Sequence, residues 1–360
     1  MNKREEIQRQ GTQAIVDNRF VGILEMSPRV GKTKTTIDAL KVVEKEINVL
    51  ILAPFSEIIK GWKKEFITWG QNPNISVEYS IANSLKKNKK TYHLIIADEI
   101  HQYNLKVLQR LKIEQLKGTR ILGLTGTLDG ATEFTLNQMF NLNVIYSYDI
   151  EQAIKDKIVS DYRIHCIGCE LDNTDKYIVA GTEEKPFKQT ELEAYNYWNT
   201  RYNLTKKQQK WSQLTFLMLK RKDIIYNSKT KIQKTNEIVE KLKRCLIFTS
   251  RQLIAEEVSE KAFHSNSDKK ALTDFQSGHI NKLGVVSMVS MGVTILDLKD
   301  VVFQQLKSDE NTAIQQAMRA MNMEDDRVAN IYIVYLKNTQ DDVWLQSALK
   351  GFNKNKIQYL

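Results

Sequence analysis

The stretch Ser27-Pro28-Arg29-Val30-Gly31-Lys32-Thr33 constrains this chain more than any other. An apolar run, Val21-Gly22-Ile23-Leu24, precedes it, and Thr35-Thr36-Ile37-Asp38-Ala39-Leu40 after it reads as a helix. Strand, loop, then Gly-Lys-Thr opening a helix is the setting that a phosphate-binding loop needs. Backbone N–H groups at the helix start face the β- and γ-phosphates, and the helix dipole favours the anion. Lys32 would add a point charge to those phosphates, and the Thr33 hydroxyl would ligate Mg²⁺. Arg29, Val30, Gly31, Lys32, Thr33 and Lys34 are the candidate nucleotide contacts. The loop departs from the strict pattern at Met26, where glycine is usual, and Pro28 with Arg29 makes it stiffer. Alone, the tripeptide also fits a surface turn; the strand before it and the helix after it argue against that.

Length implies about two domains, because single cores stop growing beyond ~250–300 residues and this chain has 360. No apolar run approaches the ~20 residues of a membrane span. The start, Met1-Asn2-Lys3-Arg4-Glu5-Glu6, lacks a signal peptide's apolar core, so a cytoplasmic protein with no membrane partner is expected. Three cysteines cannot form a disulfide framework. Cys166 and Cys169 make a Cys-x-x-Cys, but no nearby histidine completes a zinc set, and both read as strand residues.

The formal net charge is +10. Between Arg201 and Arg244 there are thirteen Lys/Arg against three Asp/Glu, so that segment carries the whole surplus. Positive charge confined to one segment suggests a polyanion contact surface, although solvated lysine-rich helices are common.

Residues 4–19 read as a helix with Ile7, Gln8, Ala14, Ile15 and Phe20 on one side. Strand-like runs follow at Gly22–Leu24, Val49–Ala53, Val77–Ser80, Leu94–Ala97, Ile121–Leu124 and Val144–Tyr146, separated by helical patterns. Short apolar runs alternating with helices predict a parallel sheet covered on both faces, with ligands at the strands' C-terminal edge. The pattern breaks at the charged helix Glu151–Lys157, and a strand over Tyr162–Cys169 follows a hinge. Residues 187–244 read as long, helical and basic, with Trp198, Trp211, Phe216 and Leu219 as packing residues. A second alternating set runs through Cys245–Phe248, Leu283–Met288, Val301–Gln304 and Ile331–Tyr335. The expected fold is α/β, with a first domain over 1–155 and a second over 156–360 that includes the basic helical segment.

Leu94-Ile95-Ile96-Ala97-Asp98-Glu99-Ile100-His101 is the second strong signal. A buried strand ending in Asp-Glu puts two carboxylates at the edge where the phosphate loop sits. Asp98 would hold Mg²⁺, and Glu99 would orient and deprotonate an attacking water. An acidic pair after a strand also occurs as an ordinary helix cap.

With both signals in place the chain resembles superfamily 2 helicases and translocases of the Asp-Glu-x-His kind. Ala53-Pro54 followed by Trp62 resembles motif Ia, and Leu124-Thr125-Gly126-Thr127 resembles motif III. Leu246-Ile247-Phe248-Thr249-Ser250 resembles motif IV, Met291-Gly292-Val293-Thr294 motif V, and Ile314-Gln315-Gln316-Ala317-Met318-Arg319 motif VI. The stretch Leu219-Lys220-Arg221-Lys222 and the compact size are most similar to small phage-encoded recombination and branch-migration helicases and to Snf2-type translocases.

The resemblance implies two RecA-like domains in tandem, with ATP and Mg²⁺ between them. Lys32, Thr33, Asp98 and Glu99 would come from the first domain, Gln315 and Arg319 from the second. It implies nucleic-acid contacts at Pro54, Trp62, Thr127, Thr249, Ser250, Thr294, Lys220 and Arg221, with DNA favoured over RNA as the track. His101, Thr125 and Gly292 would couple the nucleotide to that track, although His101 also fits a plain hydrogen bond to a neighbouring loop. Gln8 lies near the family's adenine-reading glutamine, with Gln10 and Gln13 as competitors. Trp62 and Trp69, seven apart, also fit core packing.

Motif VI departs from the family. Met318 replaces its glycine and Asn322 its second arginine. An arginine finger is worth orders of magnitude in phosphoryl transfer. Turnover is therefore expected to be slow, or to rest on Arg319 alone or on Arg327. Two alternatives follow: a nucleic-acid-binding scaffold with a vestigial ATPase, and a duplex translocase that does not unwind. One chain with both domains makes a monomer sufficient.

Overall fold

The structure is a computed structural model that describes residues 2–85, 90–264, 267, 270–286, 298–306, 328–350 and 352–360. Motif V and motif VI, with Gly292, Thr294, Gln315, Met318, Arg319, Asn322 and Arg327, lie outside the described residues. The described residues fall into two compact units, one ending at Ser160 and the other starting at Asp161.

The first unit runs α1 (Lys3–Asp17), β1 (Gly22–Met26), α2 (Lys32–Lys41), β2 (Ile47–Ala53), α3 (Ser56–Trp69), β3 (Ile75–Ile81), β4 (Leu94–Asp98), α4 (Leu105–Leu116), β5 (Arg120–Thr125), α5 (Gly130–Phe140), β6 (Val144–Tyr148) and α6 (Ile150–Lys155). α1 starts at a capping box, in which Asn2 and Glu5 each accept from the other's backbone N–H. All six strands are parallel, in the order β3-β2-β4-β5-β1-β6. The apolar runs read as strands are strands because both faces are covered: Ile95 and Ala97 of β4 pack with Leu50, Leu52, Ile121, Leu136 and Phe140 in one buried cluster. Strand order decides the chemistry. β1 and β4 flank β5, so the segments leaving β1, β5 and β4 emerge side by side at one edge.

The second unit contains β7 (Tyr162–Cys169), β8 (Ile178–Gly181), β9 (Pro186–Gln189), α7 (Glu191–Lys207), α8 (Trp211–Tyr226), α9 (Lys229–Lys241), β10 (Cys245–Thr249), α10 (Gln252–Glu257), β11 (Lys261–Phe263), α11 (Lys270–Gln276), β12 (Lys282–Val286), β13 (Asp300–Phe303), β14 (Ala329–Leu336), α12 (Gln340–Ala348) and β15 (Ile357–Tyr359). Its sheet is again parallel, in the order β11-β12-β10-β13-β14-β7-β15. The architecture is therefore α/β with two parallel sheets in tandem, as the sequence predicts. Cys166 and Cys169 are strand residues of β7, and all three thiols are free. No helix among the described residues is long and apolar enough to cross a membrane.

Two expectations for the basic segment need correction. Residues 187–189 are not helical: they belong to β9, which pairs antiparallel with β8 and takes its hydrogen bonds from that partner. Trp211, Phe216 and Leu219 are not packing residues, with 65%, 56% and 49% of their surface exposed. α7 and α8 pack on each other as a helical hairpin. Its base is anchored through Tyr195, Ile225 and Tyr226 to Leu171 and Leu336. Beyond that base, each helix has mainly the other to pack on, and apolar side chains stay in solvent.

Two charged groups lie inside this unit. Lys231, on α9, is wholly buried; it pairs with Asp341 and donates to Gln305 Oε1 at 3.0 Å. Glu191, opening α7, is equally buried and accepts from Ser228 Oγ at 2.8 Å, the Lys229 N–H at 2.6 Å and Tyr177 OH. Each is held by several partners, which is how a buried charge is tolerated.

Candidate nucleotide site

After β1 the chain turns through two residues in the left-handed region, Arg29 at φ 69° and Gly31 at φ 108°. Glycine adopts that conformation without strain. Space enforces it too, because a Cβ on Gly31 would stand 2.3 Å from Gln8 Nε2. That amide nitrogen donates to the Val30 carbonyl at 2.8 Å. Gln8 is therefore a brace that ties α1 to the loop, while Gln13 donates to Asp17 on its own helix. Val30 is fully buried and offers only backbone atoms. α2 starts at Lys32 with no side chain capping it, which leaves its first N–H groups for an anion. Ser27 Oγ, fully buried where β1 leads into the loop, has no hydrogen-bond partner.

The structure brings Lys32, Asp98 and Glu99 together. Lys32 Nζ lies 2.9 Å from Glu99 Oε1, in a contact mostly shielded from solvent. Glu99 sits at φ 49°, a conformation costly for a residue with a Cβ. The Glu99 backbone N–H donates to Asp98 Oδ1 at 2.9 Å. Burial, and then the neighbouring Glu99 charge, push Asp98 up to about 6 against the pull of Lys32 and the Trp62 indole. Burial alone would raise Glu99 as well, but Lys32 and then His101 outweigh it and hold that carboxyl below its ordinary value.

Side chains from the β5 end complete the cluster. His101 Nδ1 is 2.8 Å from Thr125 Oγ1 and 3.5 Å from Glu99 Oε2. The Thr125 hydroxyl is within hydrogen-bond reach of both the Thr127 carbonyl and His101 Nδ1. Glu99, His101, Thr125 and Thr127 thus form a continuous polar path. Gly126 stands where a Cβ would come within 3.1 Å of the Pro28 ring and 3.6 Å of Lys32 Nζ. Any larger residue there would press on the phosphate loop.

Other candidates are placed differently. Trp62 is only 1% exposed, and its Nε1 donates to Asp98 Oδ2 at 2.8 Å. It is therefore not a surface contact for nucleic acid: the indole is spent on orienting a carboxylate. Arg221 is also internal, donating to Asn199 Oδ1 at 2.9 Å and Gln340 Oε1 at 3.0 Å and stacking 4.3 Å from the Tyr202 ring. Its guanidinium fastens α8 to α7 and α12 and is not offered to a polyanion. Lys34 is drawn along α2 by Asp38 and lies 5.0 Å from the Trp69 ring centre. Burial, and then Arg4, lower the Arg29 guanidinium from its ordinary value. Pro54 is half-buried just past β2. Thr249 is nearly buried with its hydroxyl on the Arg251 carbonyl at 3.2 Å, and Ser250 Oγ is buried without a partner. Lys220 is exposed on α8.

Chemically, two carboxylates face one ammonium in a largely buried site beside an uncapped helix start. Hard oxygen donors at Thr33 and Asp98 would suit a small divalent cation. Lys32 and the α2 N–H groups suit the phosphates such a cation accompanies. The residues present fit a magnesium–nucleoside triphosphate. The role of Trp62 was not legible in the sequence, because the Trp62–Asp98 bond spans 36 positions and leaves no local pattern.

No protein-family model matches the sequence, and no curated protein matches it either. Solved structures match in fold. The ATP-dependent Type ISP restriction-modification enzyme LlaBIII bound to DNA aligns with a TM-score of 0.65 at 13% identity, over 98% of this chain. This chain spans 31% of that enzyme's length. Dbp5 from S. cerevisiae, bound to RNA and ADP BeF3, aligns at 0.60 and 12% identity over 98% of this chain and 89% of its own. The Pyrococcus furiosus Hef helicase domain aligns at 0.53 and 14% identity, over 96% and 97%. At these identities the likeness is one of fold alone: this chain shares with them two RecA-like α/β domains in tandem.

Proposed function

We propose that this protein is an ATP-dependent nucleic-acid translocase or helicase that hydrolyses ATP with Mg²⁺ and acts on DNA, in recombination, branch migration or replication. One observation carries the reading: Lys32, set by the left-handed Gly31 turn, meets the acidic pair at the end of β4 at 2.9 Å. With nucleotide bound, Lys32 would exchange Glu99 for the β- and γ-phosphates. Thr33 and Asp98 would hold the cation, which would neutralise phosphate charge, and Glu99 would be left to orient and deprotonate the attacking water. The path through His101 and Thr125 to Thr127 would report the state of Glu99 to the polymer. Gln315 and Arg319 would complete the site, with Gly292 in coupling. Pro54, Thr294 and Lys220 would touch the track's phosphates, so binding falls steeply with salt, whereas the hydroxyls of Thr249 and Ser250 are buried away from it.

The test is steady-state ATP hydrolysis with single-stranded DNA, duplex DNA or RNA, with Lys32→Ala as blank. Stimulation by one polymer identifies the track. Normal hydrolysis by Lys32→Ala refutes the site. No hydrolysis above the blank with any polymer would leave the scaffold reading instead.

A further inference from the structure

The α7–α8 hairpin carries an aromatic face that none of the other described residues covers. Tyr197 is 45% exposed and Phe216 56%, with Trp198 half-buried between them. The Tyr197 and Trp198 rings meet edge to face at 4.9 Å, and the Trp198 and Phe216 rings at 6.1 Å. Cations interleave with the rings. The Arg201 guanidinium lies 5.5 Å from the Tyr197 centroid and 6.0 Å from Trp198, and Lys220 Nζ lies 5.9 Å from Trp198 and 5.5 Å from Phe216. From Arg201 to Lys222 the sequence contains no Asp or Glu, while Lys206, Lys207 and Lys210 crowd the turn between the helices.

The chemistry of this face selects its occupant. A second copy docking symmetrically would bring Arg201 and Lys220 against their own kind and bury them without counter-charge. A strand of nucleic acid answers both features: its bases stack on rings, and its phosphates neutralise the cations between them. Stacking on side chains needs bases with an open face, which a duplex interior does not offer.

We propose that Tyr197, Trp198, Arg201, Phe216 and Lys220 form a platform on which the bases of a single strand stack. The platform rests on the nucleic-acid reading above and adds to it a contact that reads bases as well as phosphates. It also makes the hairpin an arm that favours separated strands.

The test uses the full chain and two fluorescent probes, an oligo-dT strand and a strand of equal length built from abasic spacers. Wild type is expected to prefer oligo-dT. In Trp198→Ala/Phe216→Ala the oligo-dT affinity falls about tenfold or more, spacer affinity holds, and the preference disappears. Lys220→Ala weakens both probes alike. Tyr197→Ala, a truncation at an exposed ring, provides a second reading should the double variant melt early. A double variant that keeps the base preference overturns the proposal. So does one that loses both probes equally, or one in which only the sedimentation coefficient changes, which would mark the face as a contact between copies. If wild type binds neither probe, the platform fails, and the function reading fails with it only if single-stranded DNA, duplex DNA and RNA also leave ATP hydrolysis unstimulated. If wild type binds oligo-dT but the variants bind it as well, only the platform fails.

Discussion

Replacing Trp62 with phenylalanine separates two roles for a buried indole. The ring packs against Phe66 at 5.9 Å between centroids, and its N–H donates to Asp98 Oδ2 at 2.8 Å. Trp62→Phe keeps the ring and deletes the donor. A hydrogen bond to a charged group contributes ~1.5–3 kcal/mol. Asp98 retains a second donor, the Glu99 N–H at 2.9 Å, which places the loss at the lower end, about 1.5–2 kcal/mol or roughly 10- to 30-fold. That agrees with the ~10–100-fold effect of removing groups that orient metal ligands. The loss should fall on the cation and spare the phosphates, because Trp62 touches Asp98 while Lys32 contacts Glu99. The assay is equilibrium binding of a fluorescent ATP analogue, once with Mg²⁺ and once with EDTA. In Trp62→Phe the tightening by Mg²⁺ should shrink about tenfold or more, with affinity in EDTA unchanged. Equal losses in both media would refute the reasoning and make Trp62 a packing residue only.

Other expectations follow from single features. Lys231→Met and Asp341→Leu should each cost ~3–5 kcal/mol in urea unfolding, and the double variant should recover most of it, because the charges are buried only as a pair; additive losses would refute the coupling. Gly31→Ala must hold a left-handed φ at a cost of about 1–2 kcal/mol and displace Gln8, so the thermal shift produced by ATP should vanish. An undiminished shift would show the turn to be dispensable. Burial pushes the Cys166 and Cys245 thiols up to about 12. The thiolate grows only as pH rises toward that value, so at pH 8 a disulfide reagent should label neither until denaturant is added; prompt labelling of the native chain would refute their burial.

The sheets were legible because their strands are short, continuous apolar runs. β4, read over Leu94–Ala97, extends one residue to include Asp98. β7 covers the residues read for it, Tyr162–Cys169. The small β8–β9 hairpin was not legible. Its two four-residue strands are half-exposed and draw their hydrogen bonds from each other, so neither carries a buried pattern. At the site, the chemistry-bearing side chains could be read from type and order, because Lys32, Asp98 and Glu99 follow strand ends. What surrounds them could not. Trp62 reads in sequence as either a nucleic-acid contact or a core residue and Arg221 as a surface contact, and each is internal with a partner 36 or 119 positions away.

That difference changes what the charge of the second unit means. The segment that holds the whole formal surplus puts its cations to two uses. Arg221 and Lys231 are internal and bind α8 and α9 to residues near α12, with Gln340 and Asp341 adjacent in sequence as their acceptors. Both fasten the base from which the hairpin projects. Lys206, Lys207, Lys210 and Lys220 are exposed beyond that base. A polyanion bound there would therefore meet fewer charges than composition promises, but would meet them on an arm whose root is fixed by buried polar bonds. Force applied to a strand on the arm would pass through Arg221 and Lys231 into α12, which follows directly on β14 near the middle of the second sheet. An arm anchored by apolar contacts alone would be free to slide over them; directional bonds at its root hold it to one register.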